Sequence, residues 1–266
     1  MNRPLPLSVA IVTLNEEANL PRCLESVRGL AAEIVILDSG STDATAEIAQ
    51  AHGARFDTQA WRGFVEQKKA VWERCTQPWV LNLDADEELS AELAAAIRAA
   101  FANGDPPVDG FWVNRRTFYL GDWIWHAWYP DWILRLARRE AARWGGLDPH
   151  AKLELTGPSA RLEGDLLHYS FTDLADHLHR TLRYARTTAQ SQAARGRRFR
   201  WTDLLISPGM DFLKHLVLNQ GFRDGWRGWL ISAIRAMGTF AKYAFLLEAE
   251  RGPGGKAAAN KTLSRE

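Results

Sequence analysis

The chain of 266 residues contains very little cysteine. Cys23 and Cys75 are the only two, and neither lies in a CxxC spacing or beside other metal-binding residue types. This scarcity excludes a disulfide framework and a cysteine-based zinc site. It fits a reducing compartment in which both cysteines are small, buried apolar residues.

An excess of charge is also absent, since 33 Lys and Arg face 32 Asp and Glu, a net charge of +1. The composition therefore does not indicate a nucleic-acid-binding protein. Residues 1–7 lack the charged and apolar regions of a signal peptide, and no uninterrupted apolar run approaches the roughly 20 residues of a membrane-spanning helix. We expect a protein that is neither secreted by that route nor integral to a membrane. Trp is abundant instead, and 12 Trp residues need a core or an amphipathic boundary.

Strand-like and helix-like segments alternate along the first hundred residues, which predicts an α/β fold with a mostly parallel sheet flanked by helices. The predicted strands are Ser8–Leu14, Glu33–Asp38 and Trp79–Leu83, followed later by Gly110–Phe118, Trp132–Leu136 and Leu162–Tyr169. The predicted helices are Glu17–Val27, Thr42–Ala51, Gly63–Arg74 and Ser90–Phe101. Helical spacing dominates residues 171–250, and residues 251–266 have the composition of a flexible tail.

Four acidic residues directly follow the predicted strand Trp79–Leu83, in the sequence Asp84-Ala85-Asp86-Glu87-Glu88. Such a cluster repels itself unless positive charge lies within it. Open α/β sheets bind ligands at the carboxyl ends of their strands. Two carboxylates there can hold a divalent cation that bridges to phosphates. The same acids also suit the first turn of a helix.

Two other strand ends are polar in the same way. The first strand runs into Thr13-Leu14-Asn15-Glu16-Glu17, and the second into Asp38-Ser39-Gly40-Ser41-Thr42-Asp43. A short polar turn before a helix can present N–H groups and hydroxyls to an anion or a nucleoside. It also suits a tight turn followed by an N-cap. Together, the three strand ends predict one polar crevice.

These three segments resemble the family 2 glycosyltransferases of the GT-A fold over about the first hundred residues. Four later segments are similar to the bacterial lipopolysaccharide core β-glucosyltransferase branch: residues 63–69, 129–136, 167–171 and 221–225. The resemblance implies a GT-A (Rossmann-like) catalytic domain over residues 1–170. Its nucleotide-sugar half would cover about 1–105 and its acceptor-side half about 106–170, followed by the helical region 171–250.

The resemblance also implies a site. Its nucleotide-sugar contacts would be Thr13, Asn15, Glu16, Asp38, Ser39, Gly40, Lys68, Asp84 and Ala85, with Asp38 facing the base. Asp86 would bind Mg²⁺ or Mn²⁺, with Asp84 and His150 as further candidate ligands. A cation there stabilises the negative charge that builds on the leaving diphosphate. Lys68 equally suits a solvated helix face, and His150 equally suits a hydrogen bond that stabilises its loop.

An inverting transferase needs a general base for the acceptor hydroxyl. Relatives commonly carry an acid immediately after a histidine in this region, but here Ala151 follows His150. We expect Asp148, in the loop after two glycines, to be the base. Asp131 is the second candidate, although it also suits an ion pair with Arg135. His168, in the last predicted strand, is expected to be structural.

Two aromatic regions remain. The segment 123–129 suits stacking on sugar rings, but it also suits plugging the sheet or contacting the helical region. Residues 195–201 and 223–235 combine arginines with indoles, as interfacial helices do. Membrane contact is therefore expected there, although most apolar positions of this region also have to pack on the catalytic domain.

The resemblance thus implies a cytoplasmic glycosyltransferase, which we expect to be peripheral on the cytoplasmic face of the inner membrane. It would use Mg²⁺ or Mn²⁺ to move a hexose, glucose from UDP-glucose foremost, to a lipopolysaccharide-core or related glycolipid acceptor. No Gly-x-Gly-x-x-Gly follows the first strand, which disfavours a nicotinamide-binding dehydrogenase. The N-terminus also lacks the Gly-rich basic loop of a nucleotidyltransferase. Ala151 leaves open a catalytically impaired nucleotide-sugar or glycan-binding protein of the same fold.

Overall fold

The computed structural model describes residues 3–148 and 150–252, excluding the side chains of Leu147 and His150. The strands within these residues are β1 (Leu5–Thr13), β2 (Ala31–Asp38), β3 (Arg55–Thr58), β4 (Trp79–Asp84), β5 (Glu87–Leu89), β6 (Gly110–Tyr119), β7 (Asp122–Trp123), β8 (Asp131–Arg138), β9 (Ala142–Leu147), β10 (His150–Leu155) and β11 (Ser159–His168). The helices are α1 (Leu20–Ser26), α2 (Thr45–Ala51), α3 (Phe64–Arg74), α4 (Ala91–Ala100), α5 (Leu174–Ala194), α6 (Trp201–Leu213) and α7 (Gly225–Arg251). A π-helical turn (Lys214–Leu218) and a 3₁₀ turn (Gly221–Asp224) separate α6 from α7.

The main sheet has the strand order β3-β2-β1-β4-β8-β6-β11-β5, and β7 pairs with the end of β6. The pairs β3–β2, β2–β1 and β1–β4 are parallel, as is β6–β11, whereas β8 runs antiparallel between β4 and β6. A hairpin of β9 and β10 forms a separate sheet. The predicted fold class, an α/β sheet flanked by helices and followed by a helical C-terminal region, is confirmed.

Two hydrophobic clusters cover the two faces of this sheet. Successive side chains of a strand point to opposite faces, and Trp79, Leu81 and Leu83 of β4 accordingly lie in one cluster while Val80 lies in the other. Helices α1 and α4 pack in the first cluster, whereas α3 and the β9–β10 hairpin pack in the second. Both cysteines are free and buried, as predicted.

The acidic segment after β4 does not begin a helix. Its last two acids, Glu87 and Glu88, lie in strand β5, and α4 starts only at Ala91. The Ser90 side chain caps α4 by accepting a hydrogen bond from the Leu93 N–H at 3.1 Å. Strands β3, β5, β7, β9 and β10 were not predicted, because short strands and hairpins give little periodic signal. Asp148, predicted in a loop, lies in the turn between β9 and β10.

The described chain forms two compact units. The first comprises residues 3–117 and 130–170 except Pro149, and the second comprises residues 118–129 and 171–252. The sequence placed residues 118–129 in the catalytic domain, but they belong to the helical unit. There Asp224 accepts hydrogen bonds from the backbone N–H groups of Trp125, His126 and Ala127 at 2.8–3.1 Å. The aromatic segment therefore contacts the helical region, one of the alternatives left open by the sequence.

The last helix is long and apolar. From Gly221 to Arg251 the chain is helical over 31 residues, with a mean hydropathy of 1.3 in an 18-residue window that is 28% buried. By length and composition it is able to cross a membrane, although core helices of soluble proteins also meet this criterion. The sequence has no uninterrupted apolar run here, because Arg235 and Lys242 interrupt the pattern.

Candidate active site

The carboxyl ends of β1, β2 and β4 lie side by side. In the parallel registers, Thr13 pairs with Asp38 and Val12 pairs with Asp84. Candidate residues from three separate stretches of sequence thus reach one edge of the sheet, where open α/β folds bind their ligands.

Asp38 holds the turn that follows β2. It is 2% exposed, and its carboxylate accepts hydrogen bonds from Thr13 Oγ1 (2.8 Å), the Gly40 and Ser41 N–H groups (2.7 Å each) and Ser41 Oγ (2.6 Å). Burial raises the pKa of Asp38, but these hydrogen bonds, led by those from Ser41, bring the pKa below its ordinary value. An ionised Asp38 therefore shapes the turn that carries Ser39 and Gly40.

Reciprocal hydrogen bonds join the loop after β1 to the loop after β2. Asn15 has a positive φ of 56°, a conformation that Asn tolerates better than most residues. Its side chain accepts from the Thr42 N–H (2.9 Å), and its own N–H donates to Ser41 Oγ (2.7 Å). The Glu16 N–H donates to Thr45 Oγ1 at 2.9 Å. The two loops form one polar wall, which brings the predicted Asn15 and Glu16 beside the turn after β2.

Gln67 of α3 also contacts this wall, a role that the sequence did not predict. It is fully buried, and its Nε2 donates to Ser39 Oγ (3.0 Å) and to the Gln59 carbonyl (3.1 Å). The Ser39 N–H also donates to the Thr13 carbonyl at 2.9 Å. A Gln in a polar helical stretch gives no sequence signal of burial, so this role is visible only in the fold.

Two cations hold Asp84. Lys68 Nζ lies 2.6 Å from Asp84 Oδ1, and Arg135 Nη2 lies 2.7 Å from Asp84 Oδ2. The Lys68 side chain is 13% exposed, so the alternative of a solvated helix face is wrong for Lys68, although the adjacent Lys69 is exposed. The positive charge that the acidic cluster requires is supplied by the protein itself.

Arg135 also binds Glu87, whose side chain is fully buried. Arg135 Nη2 lies 2.5 Å from Glu87 Oε1, and Glu87 Oε2 accepts a hydrogen bond from the Asp84 N–H at 2.9 Å. Arg115 lies 3.6 Å from Glu87 and 2.7 Å from Asp131. Asp131 is thus paired with Arg115. The alternative of an ion pair between Asp131 and Arg135 is wrong.

These contacts shift the pKa values of the cluster. Burial raises the pKa of Asp84, but the charges of Arg135 and Lys68 outweigh it and hold the pKa well below its ordinary value. For Lys68, burial is the largest effect and lowers the pKa despite the attraction of Asp84. Asp84 is therefore ionised and committed to its two cationic partners.

Asp86 lies beside His168. Its Oδ2 is 3.5 Å from His168 Nε2, and the two side chains are 20% and 12% exposed. Pairing of β11 with β5 causes this proximity, since His168 is opposite Glu87 and the Tyr169 N–H donates to the Asp86 carbonyl at 2.9 Å. His168 was expected to be structural, because an antiparallel pairing between distant segments has no spacing signature in the sequence.

The implied Mg²⁺ or Mn²⁺ fits the Asp86–His168 pair. Among the side chains that the structure describes, no group of three or more His, Cys, Asp or Glu residues is placed to hold a metal. Two ligand atoms 3.5 Å apart can both reach one cation at about 2.1 Å, and Mg²⁺ commonly takes few protein ligands together with waters and substrate phosphates. Both oxygens of Asp84 already bind cations, and the His150 side chain lies outside the described residues.

The two candidate bases have different surroundings. Asp148 is exposed and accepts a hydrogen bond from the Val65 N–H at 3.0 Å, so it caps the first turn of α3. A Cβ on Gly63 would collide with this carboxylate. Asp131 is bound by the Arg115 guanidinium.

The side chain of Ala85, a predicted nucleotide-sugar contact, is 4% exposed and packs in the first hydrophobic cluster.

Comparison with known proteins places this site in a family. The profile of the Glycosyl transferase family 2 matches residues 8–152, more than half of the chain. The chain therefore belongs to glycosyltransferase family 2, which confirms the predicted family and enzyme class.

Two relatives extend along nearly the whole chain. The lipopolysaccharide core biosynthesis glycosyltransferase LpsC of Rhizobium meliloti is 36% identical over 264 residues, covering 92% of each chain. An uncharacterised glycosyltransferase of Rickettsia typhi is 30% identical over 91% of this chain and 87% of its own. The predicted resemblance to the lipopolysaccharide core branch is thereby confirmed.

Among solved structures, the chain is similar to Staphylococcus aureus TarS, with 12% identity, coverage of 93% of this chain and 92% of that one, and a TM-score of 0.48. It is also similar to glucosyl-3-phosphoglycerate synthase from Mycobacterium tuberculosis in complex with Mn²⁺, uridine diphosphate and glucosyl-3-phosphoglycerate. That similarity has 26% identity over 45% of each chain and a TM-score of 0.34.

Proposed function

We propose that this chain is a metal-dependent, inverting glycosyltransferase. It transfers a hexose, glucose from UDP-glucose foremost, to a lipopolysaccharide-core or related glycolipid acceptor. The observation that carries the proposal is the convergence, at one sheet edge of a family 2 chain, of a polar wall, a lysine and arginine pair, and the Asp86–His168 pair. Similarity to LpsC over 92% of both chains supports the acceptor class.

In this proposal the nucleoside lies against the wall formed by the loops after β1 and β2. Thr13, Asn15, Glu16, Asp38, Ser39 and Gly40 contribute to that wall. Its hydroxyls and N–H groups suit the polar edges of a base and a ribose. Because Asp38 is buried and its oxygens already accept four hydrogen bonds, its contribution is chiefly to fix the turn.

The diphosphate lies toward Lys68 and Arg135. Both side chains are cationic donors held in place by Asp84, Lys68 with 13% and Arg135 with 7% of its surface exposed, and their positive charges favour a diphosphate there. Asp86 and His168 hold Mg²⁺ or Mn²⁺, which, when bound, stabilises the negative charge of the leaving diphosphate. Asp84 is assigned to positioning these cations.

In the transfer, the acceptor hydroxyl oxygen attacks the anomeric carbon while the bond from that carbon to the diphosphate oxygen breaks. The hydroxyl proton passes to a carboxylate. We assign this role first to Asp148, which is exposed and accepts one described hydrogen bond. Asp131 is the second candidate, because the Arg115 guanidinium already binds its carboxylate.

The enzyme acts in the cytoplasm at the inner membrane, where a glycolipid acceptor is held. This location is supported by the exposed aromatic and basic residues of the second unit, among them Trp201, Trp226 and Trp229.

The test measures release of UDP from a panel of UDP-sugars, with a glycolipid acceptor and with Mg²⁺, Mn²⁺ or a chelator. Turnover should require the metal, and Asp86→Ala should abolish it, whereas Glu47→Ala, which removes an exposed carboxylate of α2, should retain it. Undiminished turnover by Asp86→Ala in chelator contradicts the proposal.

A second candidate is a catalytically impaired nucleotide-sugar or glycan-binding protein of the same fold. The observation favouring it is Ala151, together with the engagement of Asp148 as a helix cap. Calorimetry that detects UDP-sugar binding without any product in the turnover assay would select this alternative.

A further inference from the structure

Helix α6 and the π-helical turn after it present an apolar surface to solvent. Among the 18 residues 201–218, seven large apolar side chains are more than half exposed: Trp201, Leu205, Ile206, Met210, Leu213, Val217 and Leu218. Leu205 and Leu218 reach 73% and 76% exposure. Single exposed apolar residues are ordinary, but a contiguous patch marks an interaction site. This surface is called the α6 face below.

The α6 face opens into a groove of about 670 Å³ shared with α7. Its walls include Met210, Leu213 and Val217 from the α6 side and Tyr243 from α7. Its charged lining residues are Lys214, Lys242 and Asp211. The groove is therefore largely apolar in its walls and bears two ammonium groups and one carboxylate.

Both acidic residues of 201–218 are engaged by neighbouring side chains. Asp203 is 18% exposed and binds Arg197 at 2.7 Å. Asp211 is 17% exposed and accepts a hydrogen bond from Thr239 Oγ1 at 2.8 Å. Little negative charge is therefore presented to solvent by the α6 face.

Basic side chains flank the α6 face. Lys214 is exposed within it, and Arg195, Arg198 and Arg200 are exposed just before α6. Over residues 195–251 there are ten Lys or Arg and five Asp or Glu. A second copy of the same surface would bring like charges together, whereas an anionic surface would complement them.

We propose that the α6 face docks on an anionic phospholipid bilayer. Its apolar side chains enter the boundary between headgroups and acyl chains, and the flanking basic residues lie against lipid phosphates, as in interfacial helices. This docking rests on the proposed function, because a glycolipid acceptor lies in a bilayer. The α6 face is the surface through which the enzyme would reach that bilayer.

Flotation of the full chain with vesicles tests this directly. The chain should bind vesicles of phosphatidylethanolamine and phosphatidylglycerol and bind phosphatidylcholine vesicles weakly. Leu205→Ser and Leu218→Ser should each lower partitioning about tenfold, because each removes an exposed leucine side chain that docking would bury in the bilayer. Lys214→Gln and Arg198→Gln should each lower it about fivefold. Leu182→Ser, at an exposed leucine of α5, is the matched control and should float like the wild type.

Three results overturn the proposal. The first is flotation of the Leu205→Ser/Leu218→Ser double variant at the wild-type level, and the second is equal binding of the wild type to neutral and anionic vesicles. The third is a wild-type dimer in light scattering that is lost in the double variant while the flotation of that variant is unchanged. Circular dichroism of each variant establishes that it is folded. Flotation needs no donor sugar, so binding without UDP-sugar turnover would reject the proposed function and leave the docking surface supported.

Discussion

The ammonium group of Lys68 lies 2.6 Å from Asp84 Oδ1, inside a cluster in which Arg135 occupies the other oxygen of the same carboxylate at 2.7 Å. Two acids of one short motif, separated by a single residue, therefore have different surroundings. Asp84 anchors two cations, whereas Asp86 faces His168. Separate substitutions of the two acids should have separable effects.

We expect Asp86→Asn and His168→Ala each to weaken Mn²⁺ binding at least about tenfold, because each removes a proposed metal ligand. Asp84→Asn should leave the Mn²⁺ affinity nearly unchanged. Titration calorimetry in the presence of UDP measures both. The assignment is wrong if Asp84→Asn abolishes Mn²⁺ binding while Asp86→Asn retains it.

Glu87→Ala should lower the free energy of unfolding by about 3–5 kcal/mol, because it removes a fully buried partner of Arg135. Glu47→Ala, at an exposed position of α2, should change it by no more than about 0.5 kcal/mol. Denaturant unfolding provides the comparison. Equal stabilities of the two variants would show that Glu87 does not support the cluster.

Asp148→Asn separates catalysis from capping. An Asn side-chain oxygen can still accept the hydrogen bond from the Val65 N–H, but it cannot take the acceptor proton. If Asp148 is the base, kcat should fall by roughly 10²–10⁴ with stability retained. Asp148→Ala should in addition lower the free energy of unfolding by about 1 kcal/mol, because α3 loses its cap. Full activity of Asp148→Asn would transfer the role to Asp131, which Asp131→Asn then tests.

His177 should make the stability of the second unit depend on pH. The imidazole is 3% exposed and its Nδ1 lies 2.7 Å from Tyr119 Oη, and burial lowers its pKa to about 4 from the unfolded value of about 6.5. Since the folded pKa is depressed, the unfolded chain binds the proton first. The stability contributed by neutral His177 is complete above about pH 6.5 and is lost as the pH falls toward 4.

Between pH 7 and pH 5 this loss should amount to about 2 kcal/mol. His177→Gln keeps an acceptor for Tyr119 without titrating, so its stability should fall correspondingly less over the same interval. Denaturant unfolding at the two pH values, followed by aromatic fluorescence, measures the difference. Identical pH slopes for wild type and variant would exclude this role of His177.

The sequence predicts the sheet edge because its determinants are local. Runs such as Trp79–Leu83 alternate between two buried faces, and the polar residues that follow them mark the strand ends. The partners of these two acids are not local. Arg135 reaches Asp84 because β8 inserts antiparallel next to β4, and His168 reaches Asp86 because β11 pairs with β5. Neither pairing leaves a periodicity or spacing in the sequence. Arg135 was therefore considered as a partner of Asp131, and His168 was expected to be structural.

The placement of residues 118–129 has a consequence for how this chain can be divided. The chain leaves the first unit after Thr117 and returns to it at Pro130, and the excursion between them packs with helices that follow residue 170. A truncated protein ending at Ser170 would retain Tyr119 and Ile124 without Ile231, their partner in the core of the second unit. A cut at residue 170 therefore does not separate the two units, because it leaves part of the second unit's core on the first fragment.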